Sequence, residues 1–355
     1  MTRRARKILV RILSWSAVAA VVTVGAHFLV EEMDSSALQS RYLSSLGTQL
    51  TYTLEPGSSA QIRFPETGPY DLRLGYVGLP AFVKRLRQFG YEINRQARFS
   101  PMLERVFDAG LFTAYREKTQ GGLRIFDRDD RLLFKAIYPA RVYSDFASIP
   151  PLVLHTLLYI ENRELLDENK RHKNPAIEWD RFGRAVLEGL AQKLGSNTHV
   201  TGGSTLATQL EKYRHSAGGQ TASVGDKLRQ MASASLRAYL QSPDTFESRR
   251  GIALAYVNTI PLAAARGYGE VHGLGDGLWV WYGQDFSAVN GLLREEGIGG
   301  AGLAERAAAY RDTLSLLLAQ RRPAYFLGRG HTALQRLADS YLRLLATDGI
   351  IPAAL

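Results

Sequence analysis

The chain has 355 residues, enough to bury a sizeable core and to hold two folded units with an anchor. Its 44 Lys and Arg against 34 Asp and Glu leave a formal charge of +10, which favours anionic partners; the N-terminal pattern selects membrane lipids and phosphate-bearing substrates over nucleic acid. No cysteine is present, so disulfides and thiolate metal sites are excluded.

Arg3, Arg4, Arg6 and Lys7 precede an apolar run over residues 12–30, and Glu31, Glu32 and Asp34 follow it. About nineteen helical residues nearly match the hydrocarbon thickness of a bilayer, so residues 1–33 read as a cytoplasmic tail and one membrane span. Basic residues before the run and acidic ones after it place the N-terminus in the cytoplasm and the body of the chain outside. A cleaved signal peptide is the alternative, but the run is long for one and no small-x-small cleavage site follows.

Residues 34–120 read as a mixed α/β membrane-proximal region. Alternating runs at 51–54 and 61–64, bounded by Pro56, Gly57, Ser58 and Ser59, predict strands; residues 79–88, with Phe82 and Leu86 in phase, predict a helix. The basic residues Lys84, Arg87, Arg95 and Arg98 read as a solvated face in preference to a headgroup contact. Residues 122–136 (GLRIFDRDDRLLFKA) predict a hairpin turning at Arg128, Asp129 and Asp130.

From Pro150 and Pro151 onward the chain is helical. Pro151 suits a first helical turn, and Val153, Leu157 and Ile160 make an apolar face ending at Glu161. Helical spacing recurs in Trp179, Phe182, Val186 and Leu190, and in Leu228, Met231, Ser235 and Tyr239. Leu314, Leu317 and Leu318, then Leu334, Leu337, Tyr341 and Leu345, close a mainly α domain over residues 121–355. Within it, residues 202–212 (GGSTLATQLEK) put two glycines before a helix that Ser204 or Thr205 caps, with Leu206 and Leu210 on one face. A helix N-terminus beside a loop of small residues binds phosphate readily, and Lys212 adds charge two turns along.

The order of these features resembles glycosyltransferase family 51, the peptidoglycan polymerases of class A penicillin-binding proteins and monofunctional transglycosylases. A Pro-containing turn into a helix that ends in Glu-Asp-Arg is matched by residues 149–163 with Glu161, Asn162 and Arg163. The family's Gly-Gly-Ser-Thr motif is matched by residues 202–213, and its Arg-Lys-x-x-Glu by Asp226, Lys227, Leu228, Arg229 and Gln230. Tyr-Leu-Asn is matched by Tyr256, Val257 and Asn258, and the Gly-rich run leading to Tyr-Phe-Gly by residues 269–283. Five such matches in order are specific.

The resemblance implies a lysozyme-like α fold that polymerises lipid II, with undecaprenyl pyrophosphate leaving and the anomeric centre inverted. It assigns Glu161 as the general base, which takes a proton from a weakly acidic sugar hydroxyl. It assigns Ser204, Thr205, Gln209, Lys212, Lys227, Gln230 and Asn258 to substrate binding, with Arg229 as an extra cation of this sequence. The family commonly uses a divalent cation, Mg²⁺ or Mn²⁺, whose ligands here are not assigned. Lipid II, the growing glycan strand, membrane lipids and other cell-wall synthesis proteins are the implied partners.

The chain departs from the pattern at several positions. Asn162 replaces an Asp, Ala207, Thr208 and Tyr213 replace common Thr, Gln and Asn, and Leu254 stands at a common Glu. An insertion covers residues 241–249, Asp226 replaces an Arg, and Gln230 replaces the second essential glutamate. Glu270 and Asp276 are candidates to take over part of that carboxylate's role. Gln230 also motivates a second reading, a membrane scaffold that binds lipid II or glycan without turnover. Glycan hydrolysis is a third reading, but it normally needs two carboxylates and Gln230 removes the nearest partner.

Overall fold

The computed structural model describes residues 3–112, 117–179, 204–294 and 302–355. Helix α1 (Arg3–Ser35) contains the apolar stretch Ser14–Ser35, long and apolar enough to cross a membrane, with none of its apolar window buried in the chain. It ends at Ser36, a buried residue in left-handed conformation (φ 54°), and α2 (Ala37–Gly47) begins at once. The Glu32 carboxylate accepts from Leu38 N (2.7 Å) and Gln39 N (2.9 Å), satisfying the free N–H groups of α2. Asn174 N donates to Ser36 Oγ (3.1 Å), so the end of α1 is tied to the helical body.

Strand β1 (Tyr52–Pro56) pairs antiparallel with β2 (Arg95–Phe99), and α3 (Pro69–Arg73), α4 (Leu79–Gln88) and α5 (Pro101–Asp108) surround the pair in sequence. The alternating run at 61–64, expected as a strand, is irregular. Side-chain amides there replace ladder bonds: Phe99 N donates to Gln61 Oε1 (3.0 Å) and Ser59 N to Gln96 Oε1 (2.7 Å). The expected hairpin forms as β3 (Gly121–Phe126) and β4 (Leu132–Tyr138), with Asp130 in the left-handed turn position.

The helical body comprises α6 (Pro151–Glu161), α7 (Leu206–His215), α8 (Val224–Ala238), α9 (Phe246–Thr259), the small hairpin β5 (Pro261–Ala265) with β6 (Gly269–His272), α10 (Gly273–Tyr282), α11 (Phe286–Arg294), α12 (Leu303–Ala319), α13 (Pro323–Phe326) and α14 (His331–Thr347). The chain is thus mainly α. One core joins these helices: Val153 and Leu157 of α6, Leu206 and Leu210 of α7, and Val257 of α9 meet Leu274 and Leu278 of α10 and Leu314 and Leu317 of α12. Leu334, Ala338 and Leu345 of α14 close it. Within α8, Met231 and Ser235 are buried as expected, but Leu228 is 55 % exposed because the first turns of that helix project from the body. Phe182, Val186 and Leu190, with Gly202 and Gly203, lie outside the described residues.

The glycine-rich run is explained by close approach. A Cβ on Gly273 (φ +76°) would lie 2.4 Å from the Asn258 carbonyl oxygen, and one on Gly275 would lie 2.3 Å from that of Arg141. Only glycine lets α10 begin against these two backbones.

Candidate active site

Glu161 is the last residue of α6, half-buried where the helix stops at Asn162 in extended conformation. Its carboxylate is held from two sides: Gln209 Nε2 donates to Oε2 (2.9 Å) and Gln320 Nε2 to Oε1 (2.8 Å). The buried Tyr256 hydroxyl contacts Gln209 Oε1 at 3.4 Å, which orients the Gln209 amide. Burial, and after it the negative charge of Glu161, raises the Tyr256 pKa well above its ordinary value, so the phenol stays a neutral donor. Three elements distant in sequence, α7, α9 and the residue after α12, therefore fix one carboxylate.

Thr205, not Ser204, caps α7: Thr208 N donates to Thr205 Oγ1 (3.3 Å) and Thr205 N to Thr208 Oγ1 (2.9 Å), a reciprocal capping box. The substituted Thr208 thus serves the helix start. Ser204 is left to face Lys227, whose Nζ donates to Ser204 Oγ (2.7 Å). Burial depresses the pKa of Lys212, against the pull of the Glu161 charge. Burial, together with the like charge of Lys212, brings Lys227 down to about 8. Contact and charge link these residues in series: Gln209 binds the Glu161 carboxylate, whose charge acts on Lys212; the charge of Lys212 acts on Lys227, which binds Ser204.

Other expected residues lie elsewhere. Asn258 is buried and spends its amide on the backbone of Tyr143, accepting from Tyr143 N (2.8 Å) and donating to Tyr143 O (2.9 Å). It is a latch between α9 and the segment before α6. Gln230 is 1 % exposed and donates to Ser216 Oγ (2.9 Å) and Thr221 Oγ1 (3.0 Å), tying the loop after α7 to α8 through a neutral network. Arg229 is exposed, with its guanidinium over the Phe112 ring at 5.9 Å. Asp226 accepts from Ala222 N (3.2 Å) at the start of α8. Asp276 is buried and engaged by Ala140 N, Arg141 N, the Arg141 guanidinium and Tyr268 OH, while the exposed Glu270 pairs with His272 at 3.2 Å. Both carboxylates are thus engaged by neighbouring groups of the fold.

Gln320 was absent from the sequence expectations. It lies 159 residues from Glu161, and no local pattern marks it. Also unforeseen is a buried charge network behind α7. His215 contacts Asp71 (3.0 Å) and Glu117 (2.7 Å), Arg214 pairs with Glu117 (3.1 Å), and Arg237 pairs with Glu211 (2.7 Å). Burial opposes the imidazolium, but the bonds to Asp71 and Glu117 outweigh it and raise the His215 pKa to about 9. Burial likewise opposes ionisation of Glu117, yet Arg237, His215 and Arg214 hold its carboxyl well below the usual range.

Among the described residues no three His, Asp or Glu side chains converge as metal ligands. At the site itself the Glu161 carboxylate is already held by two amide donors and faces the charge of Lys212, a donor set that does not suit an oxygen-liganded divalent cation. The described residues do suit an anionic group next to a base.

No curated protein matches the chain in sequence. A family model, Transglycosylase, matches residues 131–331, more than half of the chain and all of the site just described. The chain belongs to the transglycosylase family.

Proposed function

We propose that this transglycosylase, a glycosyltransferase-type enzyme of peptidoglycan synthesis, polymerises lipid II at the outer face of the inner membrane. The observation that carries the reading is the carboxylate of Glu161, held by Gln209 and Gln320 and acting through its charge on Lys212, whose own charge acts on Lys227. In this reading the C4 hydroxyl of one saccharide attacks the anomeric carbon of another. Glu161 takes the hydroxyl proton as the new C–O bond forms. The bond from the anomeric carbon to the pyrophosphate oxygen breaks, the leaving group carries the electron pair, and attack from the opposite face inverts the centre.

Lys212 and Lys227 then serve the leaving group. Both ammonium groups are partly desolvated, and the charge of Lys212 further disfavours protonation of Lys227, so a bound pyrophosphate would offset the desolvation of both and the repulsion felt by Lys227. That gain grows as negative charge accumulates on the departing oxygen, so it favours the transition state over the ground state. Ser204 adds a hydroxyl within reach of the same anion, next to the capped start of α7. Membrane lipids, the growing strand and other cell-wall synthesis proteins are the partners this reading entails.

A second reading, a scaffold that binds lipid II without turnover, is motivated by Gln230, which lies buried in a network with Ser216 and Thr221. The test is incubation of the detergent-solubilised protein with labelled lipid II and separation of the products. Glycan chains with stoichiometric undecaprenyl pyrophosphate are expected. Bound lipid II without chains would support the scaffold instead, and soluble fragments released from isolated sacculi would support hydrolysis.

A further inference from the structure

A cleft of about 660 Å³ lies between the membrane-exit end of α1 and the segment that follows Glu161. Val30 and Met33 line it from the α1 side, Leu165, Pro175 and Trp179 from the body. Its charged lining is mixed, four cations (Arg163, Lys170, Lys173 and Arg249) against three carboxylates (Asp34, Glu164 and Glu178). Most of these cations have protein partners. Lys170 Nζ lies 2.7 Å from Asp34, Lys173 binds Glu164, and Arg163 lies over the Tyr159 ring at 4.0 Å and 3.6 Å from Asp348.

Arg249 is different. It is 1 % exposed, and its Nη1 donates to the carbonyls of Leu165 (3.0 Å) and Asp167 (3.1 Å). Its Nε and Nη2 have no hydrogen-bond partner among the described residues. These two atoms form one edge of the guanidinium, whose parallel N–H groups match two oxygens of a phosphate. A buried guanidinium with an empty edge is costly unless something fills it. The ring of Phe246, 5.5 Å from its centre, offsets little of that cost.

The position of the cleft selects the ligand. The stretch Ser14–Ser35 has 22 residues and ends beside the cleft, so at about 1.5 Å per residue it brings Met33 and Asp34 to the level of the headgroups. Trp179 and Tyr159 supply the aromatic side chains typical of that level. Val30, 64 % exposed on α1, offers an apolar wall along which an acyl chain can run.

We propose that this cleft binds the phosphate of an anionic glycerophospholipid, with the free edge of Arg249 as its main contact and the Lys170 and Lys173 ammonium groups beside it. The lipid is a structural ligand that seats the membrane helix on the body, separate from the substrate at Glu161. The proposal rests on the reading of Ser14–Ser35 as a membrane span and not on the transferase reading.

The test is native mass spectrometry of the full chain in detergent, titrated separately with dioctanoyl phosphatidylglycerol, dioctanoyl phosphatidylcholine, inorganic phosphate and farnesyl pyrophosphate. One phosphatidylglycerol per chain is expected, bound about tenfold more tightly than phosphatidylcholine, because the anionic lipid lacks the choline cation that repels Lys170 and Lys173. Arg249→Met should abolish the preference, and Arg171→Met, whose guanidinium pairs with Asp244 instead, should keep it. Val30→Trp tests the same point without touching a hydrogen bond of the body, by filling the wall of the cleft, and should also lose the bound lipid. Equal binding of the two phospholipids, or an unchanged preference in Val30→Trp, would overturn the proposal. So would inorganic phosphate or farnesyl pyrophosphate competing as tightly as phosphatidylglycerol, which would assign the cleft to a free anion or to the substrate.

Discussion

Lys227 offers the sharpest prediction, because function and stability should respond to it in opposite directions. Burial and the neighbouring charge of Lys212 bring its pKa from 10.5 to about 8. If its ammonium group binds the pyrophosphate of the incoming donor, the free enzyme loses that contact as pH rises through 8. At pH 9 only about one molecule in ten keeps the charge, so kcat/KM should fall about tenfold per pH unit there. The kcat should fall later, since a bound pyrophosphate raises the pKa of the lysine. For stability the sign reverses. Between pH 8 and 10.5 the unfolded chain binds more protons than the folded one, so this group's cost is present in full below pH 8 and disappears as pH rises through that window. Lys227→Met should therefore remove activity yet stabilise the free protein at pH 7. After allowance for its partial solvent access and for the lost bond to Ser204, the gain is ~1 kcal/mol, a rise in Tm of ~1–2 °C for a chain of this length. Lys227→Arg, charged throughout, should shift the inflection out of the accessible range. The assays are initial rates on labelled lipid II from pH 6.5 to 9.5 and thermal unfolding of the same variants. A flat kcat/KM up to pH 9.5, or a lower Tm in Lys227→Met, would refute the reasoning.

Gln230→Glu should not raise polymerisation: it buries a carboxylate among hydroxyls with no cation in contact, costing ~1–3 kcal/mol in urea unfolding. A gain of activity in that variant would revive the scaffold reading for the wild-type chain. Asn258→Ala should cost ~2–3 kcal/mol of stability by releasing both backbone groups of Tyr143, with KM for lipid II unchanged in the fraction that stays folded. His215, about 9 in the folded chain against an ordinary 6.5, contributes stability that is full below pH 6.5 and lost as pH rises through 9. The Tm difference between wild type and His215→Gln should accordingly shrink from pH 6 to pH 9.5.

The sequence revealed elements better than side-chain destinations. Helix α4 (Leu79–Gln88), the β3–β4 hairpin and α6 ending at Glu161 follow from apolar phase, turn residues and Pro151, all of which act within a few residues. The partner of β1 was hidden because β2 is rich in Arg and Gln, and its edge is completed by the side chain of Gln61. The motifs named Glu161 and Gln209, which the fold joins by a hydrogen bond, because a motif fixes which residue occupies a given helix position. Asn258 and Gln230 sit in equally clear motifs, but a motif does not say which way an amide points, and both point into the fold. Gln320 was illegible for the opposite reason: it acts on Glu161 across the core from the end of α12, with no motif around it. The network of Asp71, Glu117 and His215 likewise joins positions 144 apart, a pairing only the folded chain makes.

The central claim is that Glu161 is the base of a working glycosyl transfer. Its most direct test is polymerisation of labelled lipid II by wild type and Glu161→Gln, at matched concentration, with equal Tm as the check on folding. Glutamine keeps the shape of the side chain but cannot take the proton, so chains from wild type and a loss of at least about a hundredfold in the variant are predicted. Wild-type rates in a folded Glu161→Gln protein would contradict the account.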